Sequence, residues 1–216
     1  MTNQYRSVFD IIGPIMIGPS SSHTAGAVAI GHVANRLFHA PINKVIVRYY
    51  ESFAQTHQGH GTDYAIISGV LGFDPADQRV PMAVDLARRQ GIDVVFIEDP
   101  GNSPVHHPNT ADLTLINREK ELTIWGCSIG GGTIEIRQVN LNGIVIKTDG
   151  PLPLVFVESE QEIGDALDQI FEGNYRDKRI SVKVPDRFLY KIELIDKPYP
   201  EQIEQVRGMS QDVIVL

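Results

Sequence analysis

A short run of hydroxyl side chains with one histidine stands out near the N-terminus. Residues Ser20–Thr24 read SSSHT and come directly before an apolar run that predicts a helix from Ala25 to about Phe38. Serine and threonine hydroxyls cap the free N–H groups of a helix start, where the helix dipole also favours a bound carboxylate or phosphate. His23 adds a side chain that can accept, donate or ligate near neutral pH. The pattern predicts either an anion-binding site or an ordinary helix cap.

A second histidine lies between two glycines and again precedes a helix start. Gly59–Asp63 reads GHGTD, and the residues that follow predict a helix from Thr62 or Asp63 to about Val70. Glycine-flanked backbone can approach a ligand closely, because no Cβ atom stands in the way. Two helix starts of this kind resemble two halves of one anionic site. We favour that interpretation over two capped helices with surface histidines.

Two further motifs carry polar groups on loops rich in proline or glycine. His106 and His107 are adjacent, but the nearby carboxylate or cysteine of a metal motif is missing. His107-Pro108-Asn109 predicts instead a rigid element that presents an amide. Gly126–Thr133 reads GCSIGGGT, which predicts backbone N–H groups that face a ligand or a simple bend between two strands. No lysine follows as in a P-loop, and no G-x-S-x-G elbow of a hydrolase occurs.

The composition excludes several classes of function. The chain has 216 residues, a formal net charge of -8 and one cysteine, Cys127. The acidic balance disfavours nucleic acid or an anionic membrane as a partner, since proteins that bind them carry basic surfaces. A single cysteine excludes a disulfide framework and any all-cysteine metal or iron–sulfur site made by this chain alone. Neither a signal peptide nor an apolar segment of roughly 20 residues occurs, so we expect a cytoplasmic protein.

Hydrophobic periodicity predicts an α/β region followed by a β-rich region up to about Lys147. Between Glu51 and Gly61 we expect irregular structure, and Asn142-Gly143 predicts a hairpin turn. The predicted helices are Ser7–Ile12, Ala25–Phe38, Thr62–Val70 and Val80–Gln90. The predicted strands are Lys44–Tyr50, Ile92–Ile97, Leu113–Ile116, Leu122–Trp125, Thr133–Val139 and Gly143–Lys147.

The C-terminal part has a different order of elements. Gly150–Pro153 reads GPLP and predicts a linker between a domain at 1–150 and a second at 151–216. Beyond it, the pattern predicts β-α-β-β-α-β, the order of a ferredoxin-like module of about 65 residues. The predicted elements are the strands Leu154–Val157, Ile180–Val184, Tyr190–Ile195 and Val213–Val215 and the helices Ile163–Phe171 and Pro200–Val206.

Four motifs, in this order, carry a resemblance to a known family. SVFDIIGPIMIGPSSSHTAG in residues 7–26, GHGTD in 59–63, HPNT in 107–110 and GCSIGGG in 126–132 are similar to β chains of bacterial iron–sulfur L-serine dehydratases. The resemblance covers about residues 5–148, and the rest resembles, less clearly, the ACT-type regulatory module that ends such chains. It implies an α/β (α+β) fold, with a domain like an allosteric substrate-binding domain followed by a small ferredoxin-like ACT-type module.

The resemblance also implies a cofactor and a partner. It implies a heteromeric enzyme that deaminates L-serine to pyruvate and ammonia, in which a separate α chain holds a four-iron four-sulfur (4Fe-4S) cluster through its cysteines. L-serine is then the small-molecule substrate, and homodimerisation of this chain stays open. Neither nucleic acid nor a membrane is expected as a partner.

On this interpretation, His23 and His60 are the catalytic residues, for proton transfer or substrate orientation. Asp63 is expected to orient His60 or to bind the substrate ammonium group. The residues predicted to bind the substrate are Ser20, Ser21, Ser22, Thr24, Thr62, Asp63, Asn109, Ser128, Gly130 and Gly131. No metal ligand is expected from this chain. Two alternatives stay open: a non-catalytic serine-sensing module, and a metal hydrolase that uses the two histidines with His107.

The sequence departs from the family pattern at three places. Ala27 stands where relatives often have proline, and His57-Gln58 stands where they often have Gly-Lys before GHGTD. Val157–Glu162 is acidic where many ACT modules have a glycine-rich turn. This last departure favours a role of the C-terminal module in assembly rather than in amino-acid binding.

Overall fold

The computed structural model describes residues 14–148, 150, 152–177 and 179–216. These residues fall into two compact units, one ending at residue 149 and the other spanning Gly150–Leu216. Each unit contains its own β-sheet and helices, so the predicted mixed α+β class is confirmed. Within this described part, no helix is long and apolar enough to cross a membrane. The predicted helix at Ser7–Ile12 lies outside the described residues.

The first unit is built on a six-stranded sheet. Its strands are β1 (Lys44–Tyr50), β2 (Asp93–Asp99), β3 (Thr110–Ile116), β4 (Glu121–Gly130), β5 (Thr133–Leu141) and β6 (Ile144–Lys147). Its helices are α1 (Gly26–Phe38), α2 (Glu51–Thr56), α3 (Thr62–Val70) and α4 (Ala83–Arg89), with a π turn at Ser21–Ala25 and a 3-10 turn at Val80–Met82. The strand order is β2-β1-β3-β4-β5-β6, in which β1 and β2 are parallel and the other neighbours antiparallel.

The strands form where β-branched and aromatic residues are concentrated and alternate residues face the core. In β1, Val45, Val47 and Tyr49 are fully buried, and the residues between them are half-buried. At the other end of the sheet, Asn142 and Gly143 make the β5–β6 turn with φ values of 49° and 88°. Left-handed backbone at both turn positions suits a tight hairpin, so this predicted turn is confirmed.

Helices α1 and α3 cross at a contact made by two glycines. A Cβ atom added to Gly31 would lie 2.2 Å from the carbonyl oxygen of Ile66, and one added to Gly69 would lie 2.1 Å from that of Val28. A larger residue at either position would therefore force the two helix backbones apart. Because α1 follows the π turn and α3 follows the GHG segment, this close crossing brings the two predicted histidine motifs together.

Two segments of the first unit differ from the sequence prediction. The Ser-rich stretch, which was expected to cap a helix from Ala25, is itself a π turn continuous with α1. The segment after β1 forms α2 instead of irregular structure. Helix α2 begins at Glu51 with a φ of 45°, and Glu51 Oε1 accepts the backbone N–H of Ser103 at 2.8 Å. The N–H of buried Phe53 donates to the Pro108 carbonyl at 3.3 Å. These partners are distant in sequence, so the local pattern did not indicate α2.

The second unit is a four-stranded antiparallel sheet with two helices. Its elements are β7 (Leu154–Ser159), α5 (Gly164–Ile170), β8 (Ile180–Val184), β9 (Arg187–Glu193), α6 (Pro200–Arg207) and β10 (Asp212–Val215). The strand order is β10-β7-β9-β8, and the predicted element order β-α-β-β-α-β is confirmed. The unit has its own core, formed by Val155, Val157, Leu167, Phe171, Tyr190, Ile192, Leu194, Ile203 and Val206.

Candidate functional site

The π turn sets the position of His23. Its N-cap residue, Ser20, has extended backbone, and the Ser20 Oγ accepts a hydrogen bond from the backbone N–H of His23 at 3.3 Å. The N-cap of α1 is Ala25, which makes no side-chain cap bond. The serine run therefore caps the wide turn before α1 and not α1 itself. π turns inside helices frequently mark functional sites.

Hydroxyl groups approach both ring nitrogens of His23. Its Nδ1 lies 3.2 Å from Ser20 Oγ and 3.1 Å from Ser22 Oγ. Its Nε2 lies 3.4 Å from the hydroxyl of Ser52, which belongs to α2. The residue is 9 % exposed, and its ring packs against Phe53 with 5.2 Å between ring centroids. The hydroxyl groups thus orient a nearly buried imidazole from two sides.

The ring of His60 contacts the ring of His23. The two rings meet edge-on, with 4.6 Å between centroids and 82° between planes. Burial, and then the charge of His60, lower the pKa of His23 below its usual value of 6.5. His23 is therefore a neutral imidazole at neutral pH and can accept a proton. The structure brings together the two histidines that the sequence analysis selected.

The GHG segment is held against the π turn by a backbone contact. Thr24 donates its hydroxyl hydrogen to the carbonyl oxygen of His60 at 3.3 Å. Gly61 has a φ of 70°, a left-handed conformation that favours glycine at the N-cap of α3. Among the described residues, neither His60 Nδ1 nor the fully buried Thr62 Oγ1 has a hydrogen-bond partner. Buried polar atoms of this kind are rare and point to a bound ligand or water.

Asn109 and Ser128 each contribute a further buried polar atom without a hydrogen-bond partner in the described residues. The Ser128 N–H donates to the Asn109 carbonyl at 3.0 Å, and the Asn109 amide N–H₂ donates to the Ser128 carbonyl at 3.5 Å. Asn109 Oδ1 and Ser128 Oγ are buried without partners in the described part of the chain. A Cβ atom on Gly26 would lie 2.2 Å from Ser128 Oγ, so this hydroxyl packs against the first residue of α1. The HPNT and GCSIGGG motifs therefore meet next to the π turn.

Gly130 and Gly131 lie at the tight turn between β4 and β5. Their φ values are 105° and 60°, so the motif forms the bend between two strands that the sequence left as one alternative. A Cβ atom on the next residue, Gly132, would lie 3.4 Å from Ala25 Cβ, which places the turn beside the π turn. Ser21 is half-buried as the first residue of that π turn.

Asp63 takes a different partner from the one expected. Its Oδ1 lies 2.7 Å from Nδ1 of His57, and Nε2 of the same ring lies 2.8 Å from Glu98 Oε1. Asp63 therefore orients His57 and not His60, because the first turn of α3 directs its carboxylate towards the end of α2. His57, Glu98 and Ser52 also belong to this region, although they were not among the residues predicted for the site. A run of polar residues at 52–60 was the available signal for two of them, and β2 gave none for Glu98.

The described residues do not fit an iron–sulfur cluster. Cys127 is buried, its Sγ lies 3.4 Å from Thr110 Oγ1, and burial raises the pKa of its thiol. Across the described ranges, no three His, Cys, Asp or Glu side chains lie close enough together to hold a metal ion. His107 Nδ1 instead accepts the backbone N–H of Asn109 at 3.2 Å. The three-histidine metal centre of the hydrolase alternative is therefore not assembled.

Known proteins match this chain over most of its length. The family model described as "Serine dehydratase beta chain" matches residues 7–93. The "Probable L-serine dehydratase, beta chain" of Bacillus subtilis is 51 % identical over 162 residues, which are 74 % of this chain and 71 % of that protein. The "L-serine dehydratase, beta chain" of Peptoniphilus asaccharolyticus is 41 % identical over 161 residues, 73 % of this chain and 70 % of that protein.

This chain also matches one part of a longer relative. The "L-serine dehydratase" of Haemophilus influenzae is 37 % identical over 151 residues, which are 59 % of this chain and 33 % of that protein. Both β-chain relatives are matched over more than two thirds of their length at identities well above 30 %. The resemblance suggested by the four motifs is thereby confirmed, and the chain belongs to the family of L-serine dehydratase β chains.

Proposed function

We propose that this chain is the β subunit of an L-serine dehydratase, which deaminates L-serine to pyruvate and ammonia together with an α subunit. The names of the two β-chain relatives support this reaction. The observation that carries the proposal is the edge-on pair of His23 and His60, surrounded by serine and threonine hydroxyls. The pair offers a neutral base beside a second imidazole in a nearly buried polar site.

The reaction needs a base for the Cα proton of serine. The lowered pKa keeps His23 unprotonated at neutral pH, so one of its ring nitrogens can accept that proton. The hydroxyls of Ser20, Ser22 and Ser52 hold the ring in one orientation. His60 Nδ1 has no partner in the described residues, and we assign it the role of hydrogen-bonding the substrate or passing the proton on.

The substrate also needs donors for its carboxylate and acceptors for its ammonium group. The hydroxyls of Thr62 and Ser128 can donate to a carboxylate, and Asn109 Oδ1 can accept from an ammonium group. The backbone N–H groups of the turn at Gly130 and Gly131 are further donors. Thr62 Oγ1, Ser128 Oγ and Asn109 Oδ1 are buried and have no hydrogen-bond partner in the described residues. A bound amino acid would supply those partners.

The 4Fe-4S cluster is assigned to the α subunit. This chain has one cysteine, and its described residues form no group that could hold a metal ion. A cluster generally needs several thiolates, which a partner must then supply. The first unit is assigned the role of a domain like an allosteric substrate-binding domain. Gly150–Leu216 is assigned the role of an ACT-type module, with an acidic Val157–Glu162 segment that favours assembly over ligand binding.

Anaerobic reconstitution tests whether the active site is shared between this chain and the α subunit. This chain, purified alone and treated with iron and sulfide, is expected to stay colourless and to make no pyruvate from L-serine. Addition of the reconstituted α chain is expected to start pyruvate formation, and exposure to air is expected to abolish it. Pyruvate formation by this chain alone, or activity that survives both air and iron chelation, would contradict the assignment.

A further inference from the structure

A nearly buried histidine outside the predicted site lies between two carboxylates. The two ring nitrogens of His57 lie 2.7 Å from Asp63 Oδ1 and 2.8 Å from Glu98 Oε1. Its side chain is 5 % exposed, against 23 % for Asp63 and 60 % for Glu98. On one face, the ring stacks on Tyr49 with 4.9 Å between centroids and 30° between planes. Neither the family comparison nor the proposed mechanism gives this residue a role.

The contacts identify the charge state of the ring. Carboxylate oxygens only accept hydrogen bonds, so both nitrogens of His57 must carry a proton and the ring is an imidazolium. Burial by itself would lower the pKa of His57, but the hydrogen bonds with Glu98 and Asp63 and their negative charges outweigh it, and the pKa is raised above 6.5. Tyr49 stays neutral beside it, because burial and then Asp63 raise the pKa of the phenol.

His57 is hydrogen-bonded to residues on the far side of the segment that carries His60. The N–H of Thr62 donates to the His57 carbonyl at 2.9 Å, and the side chains of His57 and Asp63 are bonded to each other. His57 therefore fixes the segment 58–62 by two bonds, one from its backbone carbonyl to Thr62 and one from its side chain to Asp63. A third bond, from His57 to Glu98, connects this segment to β2.

We propose that protonated His57 is a positioning residue that holds His60 against His23 by joining α2, α3 and β2. This inference rests on the proposed role of the His23–His60 pair. Without its second proton, the ring can donate to only one carboxylate, and the other loses its partner. The 58–62 segment is then held less firmly, and a shift of about 1 Å in a reacting group can cost about 100-fold in rate.

The direction of the pH effect follows from the raised pKa. The two hydrogen bonds from protonated His57 to Asp63 and Glu98 are fully present below pH 6.5. One of them is lost as the pH rises through the folded-state pKa of His57. Asp63 on α3, Glu98 on β2 and Tyr49 on β1 are the titratable groups that face the ring. Turnover of the assembled enzyme is therefore expected to have an alkaline limb set by His57.

Nuclear magnetic resonance of the full chain tests the charge state without any assay of activity. With 15N-labelled histidine, more than half of the His57 ring should carry two protonated nitrogens at pH 6.5 and lose one as the pH is raised, because its pKa lies above 6.5. The signal is assigned by its absence in His57→Gln. A His57 ring that is mostly neutral at pH 6.5 would overturn the proposal whether or not the chain supports serine deamination. Conversely, a protonated ring in a chain that gives no activity with the α subunit would overturn the proposed function alone.

The pH profile of the assembled enzyme tests the positioning role. Glu98→Gln removes one negative charge, so the alkaline limb of kcat should move to lower pH by about 0.5 to 1 unit while activity at pH 6 is retained. The matched control is Glu119→Gln, an exposed carboxyl in the β3–β4 connection, which should leave the limb in place. His57→Gln should lower kcat about 10- to 100-fold and remove the limb. An alkaline limb that is the same in Glu98→Gln and in the wild type would overturn the proposal.

Discussion

At the scale of single residues, the protonation state of His23 decides whether the site can act as a base. The ring is nearly buried and next to a second imidazole, and both features disfavour its charged form. The hydroxyls around it supply hydrogen bonds without adding charge. The proposed base is thus kept neutral by its surroundings rather than activated by a carboxylate.

The lowered pKa of His23 predicts the acid limit of the reaction. As the pH falls, kcat/KM of the assembled enzyme should decline through a pKa below 6.5, because protonated His23 cannot accept the Cα proton. The same shift lowers the stability of the folded chain below pH 6.5, since the unfolded chain binds that proton more tightly. Circular dichroism at each pH separates loss of fold from loss of catalysis. An acid limb centred above pH 6.5, with the fold intact, would show that another group is the base.

His60→Ala is predicted to lower turnover far more than stability. The half-buried ring lies on a glycine-flanked segment and is not part of the apolar core, so its removal should change the melting temperature little. A group that transfers a proton is typically worth about 100-fold or more in rate. The control is His39→Asn, at an exposed residue with a φ of 45° that asparagine tolerates. Near-normal turnover of His60→Ala in the assembled enzyme would remove His60 from the catalytic residues.

At the scale of elements, the crossing of α1 and α3 positions the site. The π turn leads into α1 and carries His23, and the segment with His60 leads into α3. The backbones of the two helices touch through Gly31 and Gly69, so the distance between the histidines depends on this contact. The sheet supplies the remaining polar groups from the ends of β3 and β4.

Gly31→Ala is predicted to weaken both the fold and the site. The new Cβ atom would lie 2.2 Å from the carbonyl oxygen of Ile66, a backbone atom that cannot move without its helix. We expect a loss of about 1–3 kcal/mol in the free energy of unfolding and lower activity, because α1 and α3 must separate. Denaturant unfolding measures the first effect and pyruvate formation the second.

The control for this prediction is Gly208→Ala at the end of α6. A Cβ atom there would lie 3.4 Å from the nearest backbone atom, at a negative φ of -67° that alanine adopts freely. This substitution should be neutral or slightly stabilising. Equal stability of Gly31→Ala and the wild type would mean that the backbones of α1 and α3 are not in contact at Gly31.

At the scale of the whole molecule, the chain consists of two units with separate cores. The second unit buries its own cluster of apolar side chains between one sheet face and two helices. It contains none of the residues assigned to the candidate site. The residues of the candidate site therefore all lie in the first unit.

The second unit is predicted to be separable. Limited proteolysis should cut near Gly150 and leave two compact fragments, because a unit with its own core resists cleavage inside its helices. A fragment of residues 152–216 expressed alone should unfold cooperatively on heating. Mass spectrometry of the fragments identifies the cut, and preferential cleavage inside α5 would contradict the boundary.

Much of this architecture was readable from local sequence. Strand β1, helix α3 and the β5–β6 hairpin follow from alternation, helical spacing and Asn142-Gly143, all of which act over a few residues. The histidine and hydroxyl motifs were likewise visible, because the side chains that make the site are concentrated in short runs. These features need no knowledge of what lies elsewhere in the chain.

Only the tertiary structure decided how those motifs are joined. Helix α2 depends on bonds from Glu51 to Ser103 and from Phe53 to Pro108, more than fifty residues away. Asp63 is bonded to His57, which also binds Glu98 across 41 positions of sequence. A short polar segment has no strong local preference, so its conformation and charge state are set by distant partners that fold around it.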